Sequence, residues 1–93
     1  MSIKKYEVLL QTADLGSFTK ASEVLGYTQS AISHIITGLE DELGLKLLAR
    51  DRFGVSLTAE GAALLPAIRA FCRRTQALLR PAATFHGRAV GQV

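Results

Sequence analysis

The most informative stretch of this sequence is residues 18–38, which read FTKASEVLGYTQSAISHIITG. Its apolar residues recur at the spacing that two short helices need to pack against each other at a steep angle, as in Ala21, Leu25, Ile32 and Ile35. Gly26 falls between the two segments, where a tight turn requires a positive φ. The pattern predicts a helix-turn-helix.

Capping residues predict the helices in and before this motif. Apolar residues at helical spacing indicate a first helix over residues 3–14. Ser17 is expected to cap a second helix, which stops at Gly26. Thr28 is expected to cap a third helix that continues through residues 29–43.

The sequence after residue 46 predicts a hairpin and a long helix. Two short extended segments, residues 47–50 and 55–57, are separated by a turn that contains glycine. Thr58 is expected to cap a fourth helix that continues to about residue 80 and ends before Pro81.

Length and composition indicate one small folding unit. The chain has 93 residues, of which 48% are hydrophobic and 20% charged, so it is too short for two separate cores and too apolar to be disordered. We expect a compact unit over residues 1–58, a long helix over 59–80 and the start of a linker over 81–93. A single cysteine, with no signal peptide or membrane segment in evidence, predicts a cytoplasmic protein.

Basic residues are concentrated in the second part of the chain. Residues 1–49 carry four lysines against six acidic residues, whereas residues 50–93 carry seven arginines against two acidic residues. This asymmetry favours an anionic partner, with nucleic acid ahead of membrane because no basic amphipathic stretch with aromatic anchors is present. A basic surface that is merely solvated is the other interpretation.

The third predicted helix has one apolar and one short polar side. Helices that only face water usually display long charged side chains, whereas this side carries hydroxyl, amide and imidazole groups that can both donate and accept hydrogen bonds. Such groups suit a DNA major groove, where they can bond to base edges. The polar side consists of Gln29, Ser30, Ser33, His34, Thr37 and Asp41.

The geometry of a recognition helix suggests a role for each of these side chains. Gln29, in the first turn, could pair with adenine through two hydrogen bonds, and Ser30 lies close enough to share that contact. Ser33 and Thr37 could each bond to a base edge or a phosphate. His34 could donate to guanine or to phosphate, or it could be a solvated surface histidine.

Four segments together resemble the amino-terminal domain of LysR-type transcriptional regulators. They are GSFTKAS (16–22), TQSAIS (28–33), LEDELGLKLLAR (39–50) and GVSLTAEG (54–61), and the resemblance extends over about residues 3–80. It implies a mainly α fold, a winged helix-turn-helix of three helices plus a short two-stranded β-hairpin wing, followed by a long dimerisation helix. It also implies a homodimer that becomes a tetramer when full length, and a small-molecule effector that binds only to a domain missing from this chain. No cofactor is expected.

Three positions depart from the pattern of that family. Proline is common where Ser30 stands, arginine where His34 stands and alanine where Ser22 stands. The third helix contains no lysine or arginine, so phosphate anchoring must come from other elements. The Ser22 hydroxyl must bond locally or reach water.

Further contacts with DNA are predicted on and around the hairpin. Arg52 is the candidate for phosphate or the minor groove at the wing tip, whereas Arg50 could equally bond to the acidic cluster at residues 40–42. Phe53 is expected to anchor the hairpin by packing. Lys46 and Thr19 could reach phosphate, or be a solvated lysine and a local cap. The predicted contact residues are therefore Thr19, Thr28, Gln29, Ser30, Ser33, His34, Thr37, Lys46, Arg50 and Arg52.

The fourth helix carries apolar residues at the seam spacing of paired helices. Leu65, Ile68, Cys72 and Leu79 fall on this seam, and a small domain can cover only one side of so broad a stripe. The seam is therefore predicted to meet a second chain.

Two functions follow from these observations. The first is sequence-specific binding to double-stranded DNA as a symmetric dimer, which requires an operator that is an imperfect inverted repeat. The second is a protein-interaction or dimerisation module that uses the same winged fold without reading DNA. An enzyme is not supported, because the sequence offers no acid and base pair, no metal-ligand cluster and no phosphate-binding glycine loop.

Overall fold

The computed structural model describes the backbone of residues 3–92 and the side chains of residues 3–85. It is a mainly α winged helix-turn-helix followed by a long helix, as the sequence predicts. In chain order, the elements are α1 (Ile3–Leu15), α2 (Phe18–Leu25), α3 (Gln29–Leu43), β1 (Leu48–Asp51), β2 (Gly54–Leu57) and α4 (Ala59–Gln92).

The predicted caps form at the start of α2 and α3. The Ser17 side chain accepts a hydrogen bond from the backbone N–H of Lys20, and the Thr28 hydroxyl accepts one from the N–H of Ala31, each at 3.1 Å. Gly26 ends α2 with a φ of 75°, in the left-handed region. These groups fix the turn between α2 and α3.

The same turn accounts for serine at position 22. The Ser22 hydroxyl donates a hydrogen bond to the backbone carbonyl of Tyr27. The expected local bond is therefore present, and it joins α2 to the segment that leads into α3.

The core lies between α1, α2 and α3, and α4 covers one side of it. The ring of Tyr6 on α1 meets the ring of Phe71 on α4 edge to face, with centroids 5.4 Å apart. The buried hydrophobic residues are Tyr6, Val8, Leu9, Phe18, Ala21, Ile32, Ile36, Leu39, Leu47, Ile68 and Cys72.

The predicted seam on α4 is split by this packing. Ile68 and Cys72 are only 7% and 5% exposed because they belong to the core of their own chain. Leu65 is half-buried and Leu79 remains 49% exposed. Helical spacing alone does not distinguish a helix that packs on its own domain from one that packs on a partner, which is why the sequence placed all four together.

Burial also governs the chemistry of the single cysteine. Removal from water raises the pKa of the Cys72 thiol, and the nearby Glu7 carboxylate raises it further. The thiol is thus held in its neutral form and behaves as a small apolar group.

Helix α4 continues beyond the predicted end at residue 80. It runs through Pro81 to Gln92, so the prediction that the helix ends before Pro81 was wrong. Proline removes one helical hydrogen bond, but Ala82 and Ala83 follow it, and alanine has the highest helix propensity of all residues. That residues 81–93 begin a linker stays a prediction. The side chains of residues 86–92 and the whole of residue 93 lie outside the described residues.

The hairpin has a tighter turn than the sequence suggests. Strands β1 and β2 pair antiparallel from Leu48 opposite Leu57 to Asp51 opposite Gly54, so only residues 52 and 53 form the turn. The Asp51 side chain accepts a hydrogen bond from the N–H of Phe53 at 2.8 Å, which holds this turn.

Strand β2 is fixed to the turn between α1 and α2. The N–H of Val55 donates to the carbonyl oxygen of Gly16 at 3.0 Å. Gly54 has a φ of 135°, and a Cβ atom there would lie 2.5 Å from the same oxygen. Only glycine allows this approach of the hairpin to the helical body.

In the part of the chain that the structure describes, no helix has the length and apolar character needed to cross a bilayer.

Candidate nucleic-acid interface

The polar side of α3 is open to solvent. Ile32, Ile36 and Leu39 on the opposite side of the helix are buried in the core. The polar side chains are not covered by the chain itself: Gln29, Ser30, His34 and Thr37 are exposed, and Ser33 is half-buried.

Gln29 is oriented by a neighbour on α2. Its Nε2 donates a hydrogen bond to the Oγ1 of Thr19 at 3.3 Å. This bond uses one amide N–H and leaves the other N–H and Oε1 for a second group, which is the pair that adenine recognition requires. Thr19 therefore positions the glutamine, and its own hydroxyl hydrogen can still donate to phosphate.

Two adjoining depressions connect α3 to the hairpin. The first is lined from α3 by Ser33 and Thr37 and from the segment after it by Lys46 and Arg50. The second lies between the start of α2 and the hairpin, and Thr19, Lys20, Arg50, Arg52 and Phe53 line it. Because Phe18 and Arg50 line both, the two depressions form one continuous surface, which we call the recognition face.

The structure thus brings together most of the predicted contact residues. Gln29, Ser30 and His34 are exposed on α3 but line neither depression, although Gln29 is bonded to Thr19, which does. Thr28 is exposed and caps α3 through its hydroxyl. The predicted residues that line the recognition face are Thr19, Ser33, Thr37, Lys46, Arg50 and Arg52.

Arg50 does not bond to the acidic cluster as the sequence suggested. Its guanidinium carbon lies 3.7 Å from the centroid of the Phe18 ring. A cation stacked on an aromatic face keeps its N–H groups at the rim of the ring, where they can reach an anion. This stacking holds Arg50 between the two depressions.

Glu40, from the same acidic cluster, supports the backbone. Its side chain is buried, and Oε2 accepts hydrogen bonds from the N–H groups of Leu47 at 2.7 Å and Leu48 at 3.3 Å. Its Oε1 lies 3.8 Å from the Nζ of Lys46. Since Lys46 is exposed, this ion pair is weak, and the ammonium remains accessible to a phosphate.

The segment before β1 is held from both sides. Glu40 holds the N–H of Leu47, and the N–H of Thr58 donates to the Leu47 carbonyl at 3.0 Å. The Thr58 hydroxyl donates to the Lys46 carbonyl at 2.6 Å and accepts from the N–H of Gly61 at 2.9 Å. These bonds set the position of the hairpin relative to α3 and the start of α4.

The prediction that Phe53 anchors the hairpin by packing was wrong. Its side chain is 85% exposed at the hairpin tip, and the guanidinium carbon of Arg52 lies 5.1 Å from its ring centroid. A two-residue turn projects its side chains beyond the body of the domain, so the ring has no core to reach.

Lys20 is a cation of the recognition face that sequence reasoning missed. It lies in the first turn of α2, next to Thr19, and lines the depression beside the hairpin. The signal was present, because Lys20 is two residues after the buried Phe18, and residues two apart on a helix point to roughly opposite sides. Its proximity to the hairpin required the tertiary structure.

Within residues 3–85, no three histidine, cysteine or acidic side chains are placed to hold a metal ion.

The chain matches a family model described as bacterial regulatory helix-turn-helix protein, lysR family, over residues 3–62. It is also 38% identical, in a 94-residue alignment, to the uncharacterized HTH-type transcriptional regulator YvbU of Bacillus subtilis. That alignment covers all of this chain but only 32% of YvbU, so the chain spans about a third of the length of this relative.

Similar solved structures include complexes with DNA. One is the complex of the CbnR DNA-binding domain with DNA, with a TM-score of 0.76 and 30% identity over 89% of this chain and 99% of that one. Another is the complex of the BenM DNA-binding domain with benA site 1 DNA, with a TM-score of 0.79 and 26% identity over 91% and 96% of the two chains. With its motif, hairpin and long helix all matched, the chain belongs to the LysR family of bacterial helix-turn-helix regulatory proteins.

Proposed function

We propose that this chain recognises a specific sequence in double-stranded DNA, with α3 in the major groove and the β1–β2 hairpin, the wing, on phosphate or in the minor groove. The observation that carries this proposal is the open polar side of α3, which is continuous with a cationic surface that extends to the wing tip. The complexes of CbnR and BenM domains with DNA, which share the fold, support it.

Phosphate contacts come from outside α3, which has no basic residue. Among the described residues that line the recognition face, four are cationic: Lys20, Lys46, Arg50 and Arg52. The two acidic ones, Glu40 and Asp51, already accept backbone hydrogen bonds. The face thus combines short polar groups that can distinguish bases with cations that can bind the DNA backbone.

The functional form that we propose is a homodimer through α4. Phe71, Leu78 and Leu79 are exposed apolar side chains on this helix, and they extend the seam that Leu65 begins. Two recognition helices would then enter major grooves about 34 Å apart, or a multiple of that distance, on an imperfect inverted repeat. We further propose that the whole regulator is a tetramer in the cytoplasm, with effector binding in another domain.

A protein-interaction module is the competing function, and it predicts that DNA binding is absent or independent of salt. The structure argues against a protein-interaction role for α3, because the exposed apolar side chains of α4 are separate from the polar side of α3.

Selection from a library of random duplexes at two salt concentrations tests the proposal. We expect enrichment of an inverted repeat and a steep loss of affinity at the higher salt, because cation-phosphate contacts release counterions. Failure to enrich any sequence at either salt concentration would exclude sequence-specific recognition.

Replacement of Gln29 with alanine is expected to relax base preference at one base pair of each half-site, by about 1–3 kcal/mol. The alanine lacks both groups that pair with adenine. Repeating the selection with the variant measures this change. Thr19→Val keeps the glutamine but removes the bond that orients it, so it should weaken preference at the same base pair by a smaller amount. An unchanged preference in Gln29→Ala would refute the assigned contact.

Replacement of Arg52 with alanine is expected to weaken binding to all duplexes and to reduce the slope of log K against log salt by about 1. The variant loses one phosphate contact without losing a base contact. Arg73→Ala, which removes the same charge from an exposed position on α4 away from the recognition face, is the matched control and should leave the slope unchanged. Equal slopes for the two variants would show that Arg52 does not contact a phosphate.

A further inference from the structure

Phe53 is the exposed aromatic side chain at the tip of the wing. Exposure of 85% of its surface leaves a large apolar group in water, at a position where the fold does not need one. The guanidinium carbon of Arg52 lies 5.1 Å from the centroid of this ring. The arrangement suits a ring that is buried only when a ligand is bound.

The charges around the ring indicate the class of that ligand. The depression that Phe53 lines also contains Lys20, Arg50 and Arg52, with Asp51 as its acidic member. The Asp51 carboxylate already accepts a hydrogen bond from the N–H of Phe53 in the turn. An apolar group surrounded by three cations is poorly matched to an apolar protein partner and well matched to a nucleic acid, which offers phosphates at its edge and apolar base and sugar surfaces within its grooves.

The wing is also held by hydrogen bonds in its turn and at its base, which set the position of the side chain at its tip. Its turn is only two residues long and is held by the Asp51 side chain at 2.8 Å from the Phe53 N–H. Strand β2 is fixed to the helical body through the bond from Val55 to Gly16. Glu40 on α3 also holds the N–H of Leu47 just before β1, so the position of the wing tip is set relative to α3.

We infer that Phe53 is an apolar wedge that enters the minor groove beside the half-site, partly unstacks one base step and bends the duplex, while Arg52 neutralises the adjoining phosphate. This inference rests on the proposed function and adds to it a second readout, because flexible pyrimidine-purine steps are unstacked more easily than stiff ones. Sequence preference is thus expected at base steps that α3 does not touch.

The test uses the best duplex from the selection, labelled with a donor and an acceptor dye at its two ends. Phe53→Ala is expected to lower affinity about tenfold, equivalent to about 1.4 kcal/mol, and to lengthen the end-to-end distance in the complex. The salt slope should not change, since no charge is lost. Phe53→Leu retains an apolar wedge and should keep most of the bend.

Two controls separate this inference from its alternatives. Val24→Ala removes another exposed apolar side chain, from a position on α2 that lines neither depression, and should change neither affinity nor bend. Unfolding of Phe53→Ala should match that of the unaltered protein because the ring packs on no core. If the unaltered protein binds and bends DNA and Phe53→Ala does the same equally well, the wedge is refuted. If the unaltered protein shows no salt-dependent binding, the proposed function itself fails.

Discussion

Replacement of Glu40 with alanine is expected to lower the free energy of unfolding by about 2–4 kcal/mol. The carboxylate is buried, and it accepts hydrogen bonds from the backbone N–H groups of Leu47 and Leu48. Alanine would leave the buried N–H of Leu47 without a hydrogen-bond acceptor. The N–H of Leu48, which is partly buried, would lose its bond to the carboxylate. For a small domain, whose total stability is about 5–15 kcal/mol, this loss is large.

Chemical denaturation followed by circular dichroism measures this change. Glu40→Gln keeps the shape and one acceptor oxygen but loses the charge, so its loss of stability should fall between those of the unaltered protein and Glu40→Ala. Asp41→Ala is the matched control: Asp41 is exposed, and removing a negative charge near the carboxyl end of a helix is neutral or slightly stabilising. Equal stability of Glu40→Ala and Asp41→Ala would show that the two backbone bonds contribute nothing.

Replacement of Gly61 with alanine is expected to destabilise the fold by about 3 kcal/mol. A Cβ atom on Gly61 would overlap the carbonyl oxygen of Leu47 and come within 3.1 Å of its carbonyl carbon. The clash cannot be relieved by a side-chain rotation, because Leu47 is held by Glu40 on one side and by Thr58 on the other. Helix α4 must therefore move away from the segment that leads into the wing.

Gly38 on α3 provides an internal control for this substitution. A Cβ atom there would meet nothing within 4 Å, so Gly38→Ala should stabilise the protein by about 0.5–1 kcal/mol through helix propensity alone. The same propensity gain acts at Gly61, so the difference between the two variants measures the clash. Thermal or denaturant unfolding of both variants gives this difference. Two alanine variants of similar stability would show that α4 does not approach Leu47 so closely.

The resemblance and the local signals of the sequence predicted the fold well. The caps Ser17 and Thr28 and the glycine between α2 and α3 act within one turn of the chain, so their effects are visible without tertiary structure. The prediction from Pro81, that the fourth helix ends before it, was wrong. Proline disfavours a helix locally, but the strong helix formers after it allow α4 to continue.

The candidate site was predicted in part. The periodicity of α3 separates its polar side from its core side, and the structure leaves that polar side open. The roles of Glu40, Arg50 and Phe53 were not predictable in the same way. Glu40 bonds to the backbone of Leu47, and Arg50 stacks on the ring of Phe18, so both depend on groups distant in the sequence. Phe53 is exposed because no distant part of the chain covers it.

What the sequence alone determined about this protein is the order of its helices, the turn between α2 and α3, and the polar side of α3, because each follows from periodicity and capping over a few residues. What only the tertiary structure decided is which side chains share a surface. The wing lies beside the start of α2 through the bond from Val55 to Gly16, and Ile68 and Cys72 are buried in the core of their own chain. Such choices depend on contacts between elements far apart in the chain, for which a local pattern carries no information.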